Sequence, residues 1–198
     1  MLNGLILAGG KSRRMGEDKA HLQAAGQPQL ARCAELLAPL VDTVHVSVRQ
    51  GQPPDPLRDR YPQIVDDVPD GGPLAGILAA LKAEPPADWL VVAVDLPKLD
   101  SRTLGYLLEH ATDPRFTAFR SSYDGLPEPL CALYRAESRA ILQDYFDDGI
   151  RCPRKVLLKS GAELLDQPNP HALDNVNTPE DLEAAGLLGT SVREERTS

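Results

Sequence analysis

A glycine pair followed by a cluster of basic side chains stands near the start of the chain, in a protein whose formal net charge is −8. Glycines let backbone N–H groups approach a ligand closely because they have no Cβ atom. Backbone donors together with cations at the carboxyl end of a strand are what a polyphosphate group needs. The stretch therefore predicts a binding loop for a nucleoside triphosphate. Its glycines and basic residues are Gly9, Gly10, Lys11, Arg13, Arg14 and Lys19.

The spacing of this stretch excludes two other phosphate-binding loops. A P-loop needs four residues between its first glycine and a Gly-Lys-Ser or Gly-Lys-Thr triplet, whereas five residues separate Gly10 from Gly16 and Glu17 follows. The dinucleotide-binding pattern GxGxxG is missing because Gly9 and Gly10 are adjacent. A solvated basic loop without a ligand is the alternative interpretation, and the order of residues in the stretch argues against it.

A lone carboxylate follows the most apolar stretch of the chain. Residues 89–94 predict a buried central strand, and Asp95 comes directly after it. In an open α/β sheet, ligands bind outside the carboxyl ends of the strands, so a carboxylate there can hold Mg²⁺ against a triphosphate. The alternative is that Asp95 only caps a turn before Pro97, and the basic loop upstream favours the metal.

Residues that can recognise a base come between these two features. Asp67 can accept hydrogen bonds from N1–H and the exocyclic amine of guanine, a donor pair that adenine does not present in that arrangement. Residues 73–76, Pro-Leu-Ala-Gly, predict the start of a helix that closes the base pocket. The alternative is that Asp67 is a solvent-facing turn residue beside Asp66.

The elements that position these residues alternate strand and helix, as a parallel sheet with crossover helices requires. We predict one three-layer α/β/α Rossmann-like domain with a mainly parallel sheet over residues 1–190, and a polar tail over 191–198. Residues 51–62 hold four prolines and predict an irregular connection. The predicted strands are 2–8, 43–48, 63–65, 89–94, 116–120 and 130–134, and the predicted helices are 28–40, 73–83, 101–111, 138–146 and one near the C terminus. Gly9, Lys19, Asp67 and Asp95 are expected to meet at one edge of the sheet.

Composition limits the partners and the compartment. No apolar run approaches the ~20 residues of a membrane span, and no basic segment precedes the first apolar run as it would in a signal peptide. The acidic balance argues against a nucleic-acid surface. The cysteines, Cys33, Cys131 and Cys152, form no CxxC pair and indicate a reducing compartment rather than disulfides or structural zinc. We expect a cytoplasmic protein without a nucleic-acid or membrane partner.

Five segments in order resemble the small nucleotidyltransferases, and within them the MobA family of molybdenum cofactor guanylyltransferases. Residues 7–19, LAGGKSRRMGEDK, match the family pattern LAGGxSxRMGxDK. The other segments are Asp66-Asp67 with Gly-Pro-Leu-Ala-Gly at 72–76, Val-Asp-Leu-Pro at 94–97, Pro-Leu-Cys-Ala-Leu-Tyr at 129–134 and Asn-Val-Asn-Thr-Pro-Glu-Asp at 175–181. The resemblance therefore covers most of the chain.

The resemblance implies a nucleotidyltransferase fold and the transfer of GMP from Mg²⁺-GTP to the phosphate of molybdopterin, with release of pyrophosphate. The candidate catalytic residues are Arg14 and Lys19, which would neutralise charge on the phosphates, and Asp95, which would hold the metal. The candidate nucleotide-binding residues are Leu7, Ala8, Gly9, Gly10, Lys19, Asp67, Pro73, Leu74, Gly76 and Asp95. Asn175 and Asn177 are candidates for acceptor or metal binding, and simple helix initiation is the alternative for Asn177.

No acid–base pair accompanies the basic loop, which fits a nucleophile that is already ionised. A phosphate monoester is largely a dianion at neutral pH because its second pKa is about 6. Catalysis would then consist of positioning and charge neutralisation around an in-line attack on the α-phosphorus. Two alternatives stay open: transfer of CMP or another nucleotide to a different phosphate acceptor, and a GTP-binding domain without turnover. Transient contact with other molybdenum cofactor proteins is a further expectation.

Overall fold

The computed structural model describes residues 1–8, 18–24, 26–66, 68, 69 and 71–175. The strands are β1 (Leu2–Leu7), β2 (Gln23–Ala24), β3 (Gln27–Pro28), β4 (Thr43–Arg49), β5 (Gln63–Asp66), β6 (Asp88–Ala93), β7 (Phe116–Arg120), β8 (Pro127–Tyr134) and β9 (Glu163–Leu165). The α-helices are α1 (Gln29–Leu37), α2 (Gly72–Lys82), α3 (Ser101–His110), α4 (Arg139–Asp147) and α5 (Pro153–Ser160). Short 3₁₀ helices span Lys19–His21, Arg58–Arg60 and Ala136–Ser138.

Seven of these strands form one sheet in the order β5-β4-β1-β6-β8-β7-β9. The strands β5, β4, β1 and β6 are mutually parallel, so their carboxyl ends meet at the same edge. The strand β8 runs antiparallel to both of its neighbours, and β9 is parallel to β7. The mainly parallel sheet predicted from the sequence is confirmed.

Helices cover both faces of the sheet. Leu5 and Ile6 are adjacent on β1 and both fully buried, yet they belong to different clusters of the core because successive strand residues point to opposite faces. Ile6 lies in the cluster that includes residues of α1 and α3, and Leu5 lies in the one that includes residues of α2, α4 and α5. Burial on both faces explains why β1 and β6 are nearly continuous apolar runs. The three-layer arrangement is therefore confirmed.

The observed elements differ from the predicted ones mainly at their ends. The helix α3 begins after Asp100, whose carboxylate accepts a hydrogen bond from Thr103 N–H at 2.7 Å. The elements α5 and β9 and the two-residue strands β2 and β3 were not predicted. Pro153 in the first turn of α5 and Gly161 at its C-cap, with φ of 65°, are nevertheless regular helix boundaries. The predicted C-terminal helix and tail lie outside the described residues, so the domain boundary at 190 stays a prediction. Within the described ranges, every helix is too short or too polar to span a bilayer.

Candidate active site

The candidate site lies where the parallel strands end, and it is centred on a lysine and an aspartate. Lys19 Nζ lies 2.9 Å from Asp95 Oδ2, across 76 positions of sequence. The two side chains are 22% and 25% exposed, respectively. A charged ligand can therefore reach both groups from solvent.

Lys19 is held by the local structure on its N-terminal side. Asp18 is the N-cap of the 3₁₀ helix Lys19–His21, and its carboxylate accepts a hydrogen bond from Ala20 N–H at 3.1 Å. Such a cap satisfies a backbone donor that the helix itself leaves free. Ala20 is fully buried, which anchors the helix against the core. The sequence Asp18-Lys19-Ala20 therefore presents the ammonium group from a fixed turn.

Asp95 is positioned by the end of the central strand β6. Val94 N–H donates a hydrogen bond to the carbonyl oxygen of Leu7 at 3.3 Å, which joins the end of β6 to the end of β1. Val94 and Leu96 are 6% and 4% exposed, whereas Asp95 between them is partly open to solvent. Burial of both neighbours thus fixes the backbone from which the carboxylate projects.

The chemistry of Asp95 fits a magnesium ligand. Mg²⁺ takes oxygen donors, usually one or two carboxylates together with phosphate oxygens and water. A second cluster, Asp18, His21 and Asp55, also brings three ligand atoms within 4.8 Å of one another. The two aspartates of that cluster already form ion pairs with the Arg58 guanidinium. We therefore assign the metal role to Asp95 as a proposal.

Gly76 allows helix α2 to lie close to the sheet beside the end of β1. A Cβ atom at this position would lie 2.6 Å from Ser47 Oγ and 3.3 Å from Leu7 Cδ2. Leu7 and Gly76, both predicted to bind nucleotide, are thus brought together. Leu74 is fully buried in the core, so its contribution to a pocket would come from its backbone, while Pro73 is exposed.

Other predicted residues are only partly placed. Ala8 is 3% exposed at the end of β1. Asn175 is exposed and follows Asp174, whose carboxylate lies 3.0 Å from Lys98 Nζ, so an ion pair joins this region to the segment after Asp95. The remaining candidates lie outside the described residues: Gly9, Gly10, Arg14, Asp67 and Asn177.

Two of the three cysteines, Cys33 and Cys131, are buried and do not act as nucleophiles of this site. Burial raises the pKa of the Cys33 thiol to about 12. Burial also raises the pKa of the Cys131 thiol, which is 1% exposed in β8. Both side chains are core residues, as expected from their apolar surroundings.

Arg58 also lies at this edge of the sheet, where it contacts Ala8, and it was not predicted as a site residue. The proline-rich segment 51–62 was predicted to be irregular, and it contains the 3₁₀ helix Arg58–Arg60 with an arginine side chain that is 4% exposed. The signal that could have found it is Asp55 three positions before Arg58, since acid and base at this spacing share one face of a helical turn.

Comparisons with known proteins show the family to which the chain is similar. The family described as the MobA-like NTP transferase domain matches residues 4–164. A molybdenum cofactor guanylyltransferase from Pseudomonas fluorescens is 36% identical over 180 residues, which cover 89% of each chain. A molybdenum cofactor biosynthesis bifunctional protein from Synechocystis sp. is 35% identical over 91% of this chain. The chain spans about half of that relative, 52% of its length.

Two solved structures have the same fold as this chain. Molybdopterin-guanine dinucleotide biosynthesis protein A from Archaeoglobus fulgidus superposes with a TM-score of 0.71 and 26% identity, over 92% of this chain and 96% of that one. A 2-C-methyl-D-erythritol 4-phosphate cytidylyltransferase from Thermus thermophilus superposes with a TM-score of 0.67 over 91% of this chain and 95% of that one. Its identity is 15%, so it indicates a shared fold only.

Proposed function

The chain belongs to the MobA-like NTP transferase family, and we propose that it transfers GMP from GTP to the phosphate of molybdopterin with release of pyrophosphate. The observation that carries the proposal is the Lys19–Asp95 pair at the carboxyl edge of the sheet. A cation for phosphate oxygens and a carboxylate for a metal stand next to each other there. The proposed substrates are inferred from the names of relatives that are up to 36% identical to this chain.

The reaction needs little from the protein except position and charge. The acceptor phosphate is already a dianion, and its oxygen forms a bond to the α-phosphorus of GTP. The bond between the α-phosphorus and the oxygen bridging it to the β-phosphorus breaks, and both electrons leave with pyrophosphate. Lys19, together with Arg14 outside the described residues, neutralises the charge that develops on these phosphates.

Asp95 would hold Mg²⁺, the proposed cofactor. When bound, Mg²⁺ supplies Lewis-acid stabilisation of charge on the triphosphate. The protein's own step is an exchange of partners: Lys19 leaves Asp95 for a phosphate oxygen, which frees the carboxylate for the cation. Partial exposure of both side chains allows this exchange without opening the core.

Base recognition is proposed for the region between the end of β1 and the start of α2. The Leu7 side chain approaches Gly76 closely, so the end of β1 lies beside that helix. Recognition of guanine by Asp67 stays a prediction. Asn175 or Asn177 would contact the acceptor or the metal. A cytoplasmic location and delivery of the product to other molybdenum cofactor proteins belong to the same proposal.

The experiment is pyrophosphate release measured with each of the four ribonucleoside triphosphates, in the presence and absence of molybdopterin. Release only with GTP, and only with the acceptor present, is expected. Equal or faster release with CTP would instead support a cytidylyltransferase. GTP binding without release would support a domain that binds the nucleotide and does not turn it over.

A further inference from the structure

A buried arginine joins two chain segments at the candidate active site. The Nη2 atom of Arg58 donates to the carbonyl oxygen of Ala8 at 3.0 Å and to the two carboxylate oxygens of Asp18 at 2.8 and 2.7 Å. Its Nη1 atom donates to Asp55 Oδ2. The Arg58 side chain is 4% exposed, whereas the Asp18 side chain that it binds is 43% exposed.

The two segments are the ends of the basic stretch identified from the sequence. Ala8 directly precedes residues 9–17, and Asp18 directly follows them. One nitrogen atom of Arg58 binds both ends, which fixes the separation of Ala8 and Asp18. The ends of the candidate phosphate-binding stretch are therefore held by a residue from a distant connection.

The same contact reaches Lys19 through its helix cap. Asp18 accepts from Arg58 and from Ala20 N–H with the same carboxylate oxygen, Oδ1. Arg58 thus fixes the capping side chain of the 3₁₀ helix that carries Lys19. Lys19 in turn contacts Asp95. Consecutive contacts therefore connect Arg58, through Asp18 and the helix that it caps, to the Lys19–Asp95 pair.

Arg58 is itself supported from its other side. Asp55 accepts hydrogen bonds from Leu57 N–H at 3.0 Å and from Arg58, and its Oδ2 lies 2.9 Å from His21 Nε2. Partial burial acts to raise the pKa of the Asp55 carboxyl, but the hydrogen bonds from Leu57 and His21 and the charge of Arg58 hold that pKa below its usual value. His21 belongs to the same 3₁₀ helix as Lys19, so Asp55 contacts both Arg58 and the helix that carries Lys19.

A lysine could not replace this arrangement. Guanidinium presents several donors in a rigid planar fork, whereas an ammonium group is a compact point charge on a flexible stem. The two terminal nitrogens of Arg58 serve three separate groups, from Ala8, Asp18 and Asp55. The change Arg58→Lys would keep the charge and lose the simultaneous contacts.

We propose that Arg58 is a positioning residue for nucleotide transfer: it holds together Ala8 and Asp18, which flank residues 9–17, and sets the place of Lys19. The effect on catalysis rests on the proposed function, whereas the effect on residues 9–17 does not. A misplaced Lys19 still carries its charge and still attracts the triphosphate. The loss should therefore fall more on kcat than on KM for GTP.

The test compares Arg58→Lys with Arg60→Lys, a matched change on the same 3₁₀ helix at an exposed position. Two quantities are measured at equal far-ultraviolet circular dichroism: trypsin cleavage after Lys11, Arg13 and Arg14, and kcat and KM for GTP. In Arg58→Lys, cleavage after these residues should accelerate severalfold relative to cleavage after Lys159, and kcat should fall on the order of tenfold to a hundredfold. Arg60→Lys should change neither quantity.

A folded Arg58→Lys protein with wild-type cleavage after residues 11–14 would overturn the proposal, whatever its activity. Faster cleavage with unchanged kcat would overturn the catalytic part. If the wild type transfers no nucleotide, the proposed function fails while the cleavage rates still decide the role of Arg58. If Arg58→Lys does not fold, the variant Asp18→Asn takes its place. This variant weakens the hydrogen bonds between Arg58 and residue 18, and it is judged by the same two measurements.

Discussion

The ammonium group of Lys19 lies 2.9 Å from the carboxylate of Asp95, although the two residues are 76 positions apart in sequence. Each group complements the charge of the other. An ion pair to which solvent has access contributes on the order of 1 kcal/mol, because solvent screens part of the attraction. Exchange of the pair for a phosphate and a cation is therefore a small step.

The substitution Asp95→Asn should nearly abolish turnover while leaving the fold intact. An amide keeps the shape and one oxygen but removes the negative charge that holds a hard cation. We expect kcat to fall on the order of a hundredfold or more, measured as magnesium-dependent pyrophosphate release. Asp144→Asn, at an exposed position of α4, is the control and should keep wild-type activity. Near-normal activity of Asp95→Asn with unchanged magnesium dependence would place the metal elsewhere.

The substitution Lys19→Gln should lower kcat by a similar factor but act differently on the metal. Removing the ammonium group leaves Asp95 without its contact at 2.9 Å, so the carboxylate becomes more available to a cation. Residual activity should therefore saturate at a lower magnesium concentration than in the wild type. The measurement is a magnesium titration of pyrophosphate release at fixed GTP, with Lys82→Gln as the exposed control. A higher magnesium requirement in Lys19→Gln would contradict an exchange of partners.

Gly76→Ala should destabilise the fold by moving α2 away from β4. The added Cβ would lie 2.6 Å from Ser47 Oγ, a distance that cannot be kept. Overpacking of this kind costs about 1–3 kcal/mol, measured by urea unfolding. Adding Ser47→Ala removes the clashing oxygen and should restore part of the loss. The control Gly105→Ala meets nothing within 4 Å in helix α3 and should stabilise the protein by about 0.5–1 kcal/mol. Equal effects of the two glycine substitutions would contradict the packing account.

Glu163→Gln should reduce stability at neutral pH and much less in acid. The Glu163 carboxylate accepts hydrogen bonds from Thr112 N–H and Asp113 N–H at 2.8 and 3.1 Å and from the hydroxyls of Thr112 and Thr117. Partial burial acts to raise its pKa, but these hydrogen bonds outweigh burial and hold the pKa below the usual 4.5. The folded state thus binds the proton more weakly than the unfolded state. The carboxylate's contribution is present above pH 4.5 and is lost as pH falls through the lower pKa of the folded state.

Thermal unfolding of Glu163→Gln and wild type from pH 7 to pH 3 checks this expectation. The difference between their midpoints should narrow as the pH falls below 4.5. Glu109→Gln, at an exposed position of α3, should show no such trend. A gap between wild type and Glu163→Gln that stays constant across the range would show that the carboxylate charge is not what stabilises the fold.

Much of the central sheet could be predicted because its strands are encoded locally. The run 89–94 is apolar on both faces, and Asp95 marks its end. The position of Asp95 after the central strand followed from this pattern, and the structure brings it to Lys19 as expected. The short elements α5 and β9 were missed because the apolar pattern over 153–165 is too brief to distinguish from a connection.

The role of Arg58 could not be predicted because it depends on three segments that are far apart in sequence. Asp55 lies three positions before Arg58, but Ala8 and Asp18 are 50 and 40 positions away and share no local pattern with it. A proline-rich connection also normally lies on the surface. The buried guanidinium becomes evident only when the ends of β1 and the 3₁₀ helix of Lys19 lie side by side. Tertiary contacts of this kind have no periodic signal in the sequence.

The most direct test of the central claim follows the phosphorus atoms of GTP. The protein is incubated with magnesium, molybdopterin and GTP labelled at either the α- or the γ-phosphate, and the products are separated. We expect the α-label in a guanylylated molybdopterin and the γ-label in pyrophosphate, with both transfers strongly reduced in Asp95→Asn. Recovery of the γ-label as inorganic phosphate, or of the α-label only in unreacted GTP or free GMP, would contradict nucleotide transfer to this acceptor.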